Sequence, residues 1–383
     1  MNRVRTSPRR DWQARVEEVG LLHHSPEGEK YWDESAYYEL TAREVDTLEK
    51  AANDLHEMCL AAAQHVLDNH VFACLGIPVE AVPGILRSWE RDDFSLYGRF
   101  DLAYDGSGPP KLLEYNADTP TALVEAAVAQ WYWLEDTNRH ADQFNSIHER
   151  LVAAWKRLAP ATDGKMYLGG VKDQLEDERT VLYLEDTCSQ AGLMTGRLFI
   201  EDLGFDPARG KFVDLQAAVV GDYFKLYPWE WMWREEFSRH LQSDRCRFVE
   251  PMWKMLLSNK GLLPVLWQMF PDHPNLLPAY FAEEALRQNQ PAAAENGYVK
   301  KPRLSREGAN VTIMEHGAVV EETSGDYDGE GYIWQAMAPR ADFDGNHPVF
   351  GVWVVNHEAC GLGIREDTAR ITGNTSRFVP HLF

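Results

Sequence analysis

Basic residues are scarce in this chain of 383 residues, where 38 Lys and Arg stand against 60 Asp and Glu and give a formal net charge of −22. Nucleic acid binding needs clustered Lys and Arg to contact phosphates, so this balance argues against a nucleic acid partner. An acidic surface tolerates or attracts a cationic substrate, although it is also a simple means of staying in solution.

Long apolar stretches are missing too. No run of 18 apolar residues occurs, and the N-terminus lacks the hydrophobic core of a signal peptide. The sequence therefore predicts a soluble, cytoplasmic protein without a membrane partner. At the N-terminus, a loose basic tail is predicted from Arg3, Arg5, Arg9 and Arg10.

Cysteine motifs and the P-loop motif are absent as well. The chain has no CxxC pair and no His near a Cys at zinc spacing, so free thiols are expected at Cys59, Cys74, Cys188, Cys246 and Cys360. The pattern GxxxxGK[ST] does not occur, and phosphoryl transfer of the P-loop type is therefore unsupported.

What the chain does carry is a polar hairpin between residues 97 and 121. Alternation across GRFDLAY puts Arg99 and Asp101 on one face, and alternation across LLEYN pairs Glu114 with Asn116. The Gly- and Pro-rich loop 105–110 allows an antiparallel turn. Two carboxylates and an amide oxygen are ligands that Mg²⁺ takes beside phosphates, and the Arg suits phosphate or carboxylate. An exposed polar face with ion pairs is the alternative.

Two helices frame this hairpin in the sequence. Thr41 and Glu44 form a capping box at the start of a long amphipathic helix, whose scattered histidines are not expected to bind metal. After the hairpin, residues 122–138 predict a second helix, with Thr119 and Thr121 at its N-terminus. Free N–H groups there can hold an anion, although Thr119 as a plain N-cap is equally compatible.

The middle of the chain predicts an α/β lobe. VLYLED is interpreted as a strand, a helix follows near residues 190–203, and KFVDL and VVGDYFKLYPWEWM contain further strands. Glu185 and Asp186 then end the first strand, where they would meet an amine or form a loop. A cleft or a packed aromatic group is predicted from Lys225, Tyr227, Trp229, Trp231 and Trp233. Residues 287–296 predict a polar linker.

The C-terminal third predicts further strands. GYVKKPRLSREGANVTI has the pattern of a strand, a glycine-bearing loop and another strand, and YIWQAMAP and VFGVWVVN follow as strands. Taken alone, Lys260 is a charge near a helix end, and Gln335 and Met337 belong to a core strand.

These blocks resemble a known family. RxD at 99–101 and ExNADTPT at 114–121 are similar to the synthetase domain of glutathionylspermidine synthase and its single-domain relatives, which are ATP-grasp carboxylate–amine ligases. The resemblance runs from about Tyr31 onward and is densest at 97–121, 252–272 and 297–313. It implies an α/β protein with α+β lobes: an ATP-grasp fold with a pre-ATP-grasp-like α/β lobe.

The implied division has four parts. They are an N-terminal tail or extension (1–30), a helical segment with the metal-binding β-hairpin of the ATP-grasp core (31–160), the pre-ATP-grasp-like lobe (165–250) and the nucleotide-binding lobes (251–383). Residues between 160 and 165 form the boundary.

The resemblance also implies ligands. ATP is expected with Mg²⁺, as two ions, and the implied metal ligands are Asp101, Glu114 and Asn116. The implied ATP-binding residues are Lys260, Lys301, Arg306, Gly308, Asn310, Gln335, Met337 and Arg365. The carboxylate substrate would lie against Arg99, Thr119 and Thr121, with Arg99 also catalytic.

The implied reaction is ATP-dependent amide formation through an acyl phosphate, with release of ADP and phosphate. Two alternatives stay open: a nucleotide-binding ATP-grasp-like protein without ligase activity, and an acid-rich interaction protein. Spermidine-using members end with an acidic residue near the place of Ser376 and Arg377 here. We therefore expect a small or peptide-like carboxylate and an amine, polyamines included, other than spermidine. The Cys-dependent amidase activity of bifunctional members is not expected.

Overall fold

A computed structural model describes residues 1–158, 164–327, 329, 331–339 and 341–383. In chain order its strands are β1 (Asn2–Arg5), β2 (Ala36–Glu39), β3 (Tyr97–Ala103), β4 (Lys111–Asn116), β5 (Lys165–Gly169), β6 (Met194–Arg197), β7 (Gly204–Asp206), β8 (Lys211–Val213), β9 (Asp222–Lys225), β10 (Arg247–Val249), β11 (Ala279–Tyr280), β12 (Tyr298–Pro302), β13 (Thr312–Glu315), β14 (Ala318–Glu322), β15 (Tyr332–Ala336), β16 (His347–Val355), β17 (Glu358–Asp367), β18 (Arg377–Val379) and β19 (His381–Leu382).

The α-helices within the same described ranges are α1 (Trp12–Glu18), α2 (Ala42–Asp68), α3 (Val82–Glu90), α4 (Gln130–Thr137), α5 (Ile147–Arg157), α6 (Leu175–Gln190), α7 (Trp229–Met232), α8 (Leu262–Met269), α9 (Glu283–Asn289) and α10 (Pro291–Asn296). A π-helical segment, Glu125–Ala129, leads directly into α4.

The central sheet is antiparallel and has the order β18-β17-β16-β3-β4. Its hairpin of β3 and β4 pairs Arg99 with Asn116 and Asp101 with Glu114. The predicted hairpin is therefore confirmed, and the four polar residues lie opposite one another in pairs because side chains of period two share a face. Apolar residues of the same strands, such as Phe100 and Leu102, are buried on the other face.

A second five-stranded sheet has the order β11-β15-β12-β13-β14. The predicted strand, loop and strand are confirmed as β12 and β13, which pair in antiparallel fashion. β15 lies on the other side of β12 and pairs Val299 with Gln335. The loop 303–311 therefore leaves this sheet from β12 and returns to it at β13.

The third sheet, β10-β9-β5-β6, is parallel. Helix α6 connects β5 to β6, which gives the strand, helix and strand unit of an α/β lobe. The details of the prediction were wrong, since VLYLED belongs to α6 and the expected helix at 190–203 contains strand β6. Val181, Leu184 and Cys188 are buried at helical spacing, so the apolar run is one face of a helix.

Helix α2 begins with the predicted capping box: Glu44 N–H donates to the Thr41 hydroxyl oxygen, and Thr41 N–H donates to the Glu44 carboxylate. One histidine of this helix, His56, is buried between Tyr115 and His357. Burial, with His357 nearby, lowers the pKa of His56 to about 3, so it is a neutral packing residue.

The predicted loose N-terminal tail was wrong. β1 pairs with β2, and β2 pairs with the C-terminal strand β19. Arg3 donates two hydrogen bonds to Glu366, at 2.7 and 2.6 Å, and Arg9 donates from Nη2 to Glu34 at 2.6 Å. Arg3 and Arg9 are held in place because the buried carboxylates of Glu366 and Glu34 pair with them.

The predicted polar linker was also wrong, since residues 287–296 lie mostly in α9 and α10. Arg287 pairs with Glu283 one turn earlier, and Pro291 occupies the first turn of α10, where its missing N–H costs nothing. The five cysteines are free, as predicted. None of the helices in the described ranges is long and apolar enough to cross a membrane.

The four-part division of the chain stays a prediction. Its boundary at 160–165 falls mainly on residues 160–163, which lie outside the described residues.

Candidate active site

Arg99 and Asp101 form a buried ion pair on β3. The guanidinium of Arg99 donates from Nε to Asp101 Oδ1 at 2.6 Å and from Nη2 to Oδ2 at 3.0 Å, while its Nη1 donates to the Thr121 carbonyl at 2.6 Å. Arg365 on β17 approaches Asp101 Oδ2 to 3.3 Å. Two cations therefore lie against the Asp101 carboxylate, and one of them, Arg99, also contacts the turn 117–121. We call residues 117–121 the acid-binding turn, after the role predicted for them.

Glu114 and Asn116 on β4 extend this arrangement. Asn116 Nδ2 donates to Glu114 Oε1 at 3.0 Å, and Lys260 Nζ lies 2.9 Å from Glu114 Oε2. Burial alone would raise the pKa of Glu114, but Lys260 and Asn116 outweigh it and lower that pKa to about 2. The carboxylate is therefore ionised at neutral pH.

Lys301 on β12 contacts strand β4 of the hairpin. Its Nζ donates to Gln335 Oε1 at 2.8 Å and to the Leu113 carbonyl at 3.2 Å. Burial lowers the pKa of Lys301 to about 8, against the opposing effect of Glu114. Gln335 uses its Nε2 to donate to the Leu112 carbonyl, so its role in contacting an adenine base stays a prediction.

A single cavity of about 670 Å³ unites these residues, a volume within the range of small-molecule sites. Of the residues predicted from the sequence, it is lined by Arg99, Asp101, Glu114, Asn116, Thr119, Thr121, Lys260, Lys301, Arg306, Gly308, Gln335, Met337 and Arg365. Asn310 does not belong to this lining, since its Oδ1 accepts a hydrogen bond from the Tyr327 N–H. Its contact with ATP stays a prediction.

Arg306 connects the loop 303–311 with the acid-binding turn. Its Nη1 donates to the Thr119 hydroxyl at 2.6 Å, and its Nη2 donates to Glu230 on α7 at 2.8 Å. The Thr119 hydroxyl therefore accepts a hydrogen bond from an arginine. In a plain N-cap it would accept one from a backbone N–H of the helix.

Sequence reasoning missed an acidic wall of the same cavity, which consists of Glu176, Asp177 and Glu307. Burial and the neighbouring Glu176 raise the pKa of Asp177 to about 7, and the same two causes raise the pKa of Glu307. These three carboxylates have no hydrogen bond or ion pair to any residue in the described part of the chain. The sequence signal for this wall was the acidic first turn of α6, which contains Glu176 and Asp177. It was missed because VLYLED in the same helix was interpreted as a strand.

Of two further predictions, one fails at this site and the other is confirmed in part. Glu185 and Asp186 lie near the C-terminal end of α6 outside the cavity lining, where they bond to Thr195 and Gln190. Of the predicted aromatic group, the cavity contacts Tyr227 and Trp231, whereas Trp229 is buried in packing and Trp233 lies outside the lining.

The donors at the hairpin suit Mg²⁺ held together with phosphates. Among the described residues, no group of three or more His, Cys, Asp or Glu side chains is arranged to hold a metal ion by itself. Asp101, Glu114 and Asn116 supply hard oxygen atoms in the small number that Mg²⁺ takes when phosphates and water complete its shell. The adjacent Lys and Arg side chains provide the matching phosphate partners.

Known proteins are similar to this chain along nearly its whole length. A family model described as "Glutathionylspermidine synthase preATP-grasp" matches residues 3–383. A Haemophilus influenzae protein named "Putative acid--amine ligase" is 42% identical over the whole length of both chains. Trypanothione synthetase of Crithidia fasciculata is 30% identical over 85% of this chain and 53% of its own length.

More distant matches extend the comparison. The bifunctional glutathionylspermidine synthetase/amidase of Escherichia coli is 27% identical over 90% of this chain and 58% of its own length. This chain thus spans little more than half of the two synthetases. A glutathione synthetase-like effector from Globodera pallida has the same fold, with a TM-score of 0.55 at 10% identity and 98% coverage of each chain. The predicted mixed α and β fold of the ATP-grasp type is confirmed.

Proposed function

Because this chain belongs to the glutathionylspermidine synthase family, we propose that it joins a carboxylate to an amine at the expense of ATP. The observation that carries this proposal is the meeting of three separate sequence blocks in one cavity. Residues 97–121 contribute carboxylates and an arginine, residues 252–272 contribute Lys260, and residues 297–313 contribute Lys301 and Arg306. Charge neutralisation and positioning are what phosphoryl transfer requires from a protein.

The protein side of the reaction follows from these charges. Lys260, Lys301 and Arg365 would bind the phosphates of ATP, since each is a donor at the cavity wall. Two Mg²⁺ ions would be held by Asp101, Glu114 and Asn116. Mg²⁺ bound there would neutralise charge on the phosphates. Arg99 and the acid-binding turn would orient the carboxylate substrate toward the terminal phosphate.

The bonds then change in two balanced steps. A carboxylate oxygen bonds to the γ-phosphorus while the bond to ADP breaks, which gives an acyl phosphate and ADP. The amine nitrogen bonds to the acyl carbon, phosphate leaves with one former carboxylate oxygen, and the amine gives up a proton. No protein nucleophile is needed. The positive charge of Arg99 can stabilise first the carboxylate and then the acyl phosphate.

The second substrate would be a cationic amine. Glu176, Asp177 and Glu307 line the cavity without a hydrogen bond or ion pair among the described residues. Burial disfavours the charged forms of Asp177 and Glu307 despite the attraction of Arg306, and a bound cation would stabilise these charged forms. The position near the C-terminus that the resemblance gives as acidic in spermidine users falls around Ser376 and Arg377 in this chain. The guanidinium of Arg377 binds Asn346, Glu366 and Asp33 outside the cavity lining. These contacts support an amine other than spermidine, joined to a peptide-like or amino-acid carboxylate.

A mass-spectrometric screen tests the proposal. The protein is incubated with Mg·ATP and mixtures of carboxylates and amines, and both ADP and new products are measured. If the protein is a ligase, continued ADP release should depend on the presence of both the acid and the amine. The product should have the summed mass of acid and amine less one water. Binding of Mg·ATP without ADP release would favour a nucleotide-binding protein, and absence of ATP binding would favour an interaction protein.

A further inference from the structure

Arg306 joins two parts of the cavity that belong to different substrates. It lies on the loop 303–311, beside Gly308, where the phosphates of ATP are proposed to bind. Its guanidinium contacts the Thr119 hydroxyl in the acid-binding turn and the carboxylate of Glu230, and its carbon centre lies 5.5 Å from the ring centre of Trp231. One side chain therefore reaches both the phosphate loop and the acid-binding turn.

The acid-binding turn is fixed to α7 by a second contact. Asp118 Oδ1 accepts a hydrogen bond from Lys225 Nζ at 2.6 Å, and Asp118 Oδ2 accepts one from the Trp229 N–H at 3.0 Å. The side chains of Asp118 and Lys225 are almost completely buried. Since Trp229 precedes Glu230, the residues Asp118, Thr119, Arg306, Glu230 and Trp229 form a closed ring of contacts.

Glu230 is the charged member of the ring that holds Arg306 in place. Burial acts against the charge of Arg306, and Glu230 offsets this and raises its pKa. The Nε atom of Arg306 is buried and has no hydrogen-bond partner among the described residues. Without the Glu230 carboxylate, the guanidinium would keep one neutral hydroxyl partner in a partly buried place, which favours its movement toward water.

We infer that Glu230 is a positioning residue that makes nucleotide binding and acid binding depend on each other, by holding Arg306 of the phosphate loop against Thr119. The inference rests on the proposed function. When the loop moves onto phosphates, Arg306 orders the acid-binding turn, and when the loop moves away, that turn loses a contact. By linkage, each substrate then strengthens binding of the other to the same degree.

Hydrogen exchange measured by mass spectrometry tests this coupling without knowledge of the acid. The probe is a non-hydrolysable ATP analogue with Mg²⁺, and exchange is followed in peptides that cover 117–124 and 303–311. In the wild type, the probe should slow exchange in both segments, by about fivefold or more in 117–124, the lower end of typical coupling between sites. In Glu230→Gln, it should slow only 303–311.

A matched control is Glu236→Gln, which removes a carboxylate nearby in sequence whose side chain is 88% exposed. It should behave like the wild type. Equal slowing of both segments in Glu230→Gln would overturn the inference. If Glu230→Gln does not fold, Arg306→Lys replaces it in the test, because lysine keeps the charge but lacks the planar group that contacts two partners. The probe should then again slow exchange in 303–311 and not in 117–124. No slowing of either segment in the wild type would instead contradict nucleotide binding and the proposed function itself.

Discussion

The Nζ atom of Lys260 lies 2.9 Å from Oε2 of Glu114, although the two residues come from sequence blocks far apart in the chain. Glu114 lies on β4, and Lys260 lies between a 3₁₀ turn and α8. The pair places a proposed phosphate-binding cation directly against a proposed magnesium ligand. Such opposite charges suit a site in which phosphate and Mg²⁺ are bound together.

Glu114→Gln should abolish ADP formation above background while leaving the fold intact. The amide cannot supply the negative charge that a Mg²⁺ ligand requires here, and Glu114 lies on a polar wall of the cavity, where side-chain replacement leaves little cavity behind. ADP release and the thermal unfolding midpoint are the two measurements. Glu57→Gln, an exposed change on α2, is the control. Full turnover of Glu114→Gln at saturating Mg²⁺ would remove Glu114 from the metal site.

ATP affinity should fall as pH rises through about 8, because burial lowers the pKa of Lys301 to that value and only the charged form attracts phosphate. Bound phosphate favours the proton on Lys301, so the dissociation constant should increase toward about tenfold per pH unit above pH 8. Titration calorimetry between pH 6.5 and 9.5 measures this dependence.

Lys301→Met should weaken ATP binding by about 1.5–3 kcal/mol, the range for a hydrogen bond to a charged group, and should remove this pH dependence. Lys300→Met is the matched control, since Lys300 is the preceding residue on the same strand and its Nζ lies 3.9 Å from the ring centre of Tyr332. An unchanged dissociation constant in Lys301→Met, or a large change in Lys300→Met, would transfer the phosphate contact to another lysine.

The N-terminal strand should contribute measurably to stability. Arg3→Ala leaves the fully buried Glu366 with Tyr38 and Arg377 as its partners among the described residues, so the free energy of unfolding should fall by about 1–3 kcal/mol. Arg5→Ala, whose ion pair with Asp344 is exposed, should change it by less than about 0.5 kcal/mol. Chemical denaturation compares the two variants, and equal effects would show that the Arg3 contact is unimportant.

Spermidine should be a poor substrate. The position that the resemblance gives as acidic in spermidine users falls around Ser376 and Arg377, and Arg377 pairs with Glu366 and Asp33. We therefore expect slow or undetectable formation of glutathionylspermidine from Mg·ATP, glutathione and spermidine. Product formation is compared with a panel of other amines by mass spectrometry. A rate with spermidine well above the rates with other amines would show the interpretation of Arg377 to be wrong.

Much of the site was predictable because its elements are local. Alternation across β3 and β4 identifies Arg99, Asp101, Glu114 and Asn116 as one polar face, and the turn between them closes the hairpin. The capping box of Thr41 and Glu44 likewise lies within one helical turn. In each case the residues that form the structure are close together in sequence.

The remaining features depend on contacts that local patterns do not contain. The apolar positions of VLYLED fit a short strand or one face of a helix, and the helix was missed because its packing partners lie elsewhere. The ring through Thr119, Arg306 and Glu230 joins three distant segments, and the N-terminal strand is ordered by Glu366 near the other end of the chain. In all three cases, contacts with residues distant in sequence determine the local structure.

The fate of the carboxylate oxygens distinguishes an acyl-phosphate ligase from an enzyme that hydrolyses ATP or forms an adenylate. An acid that supports ADP release is labelled with ¹⁸O at both carboxylate positions and incubated with Mg·ATP and its amine, and phosphate, ADP and amide are analysed by mass spectrometry. An acyl-phosphate ligase places one ¹⁸O in each released phosphate, one in the amide and none in ADP. Unlabelled phosphate would show that water attacks ATP, and label in AMP would show an adenylate; either result would contradict an acyl-phosphate ligase.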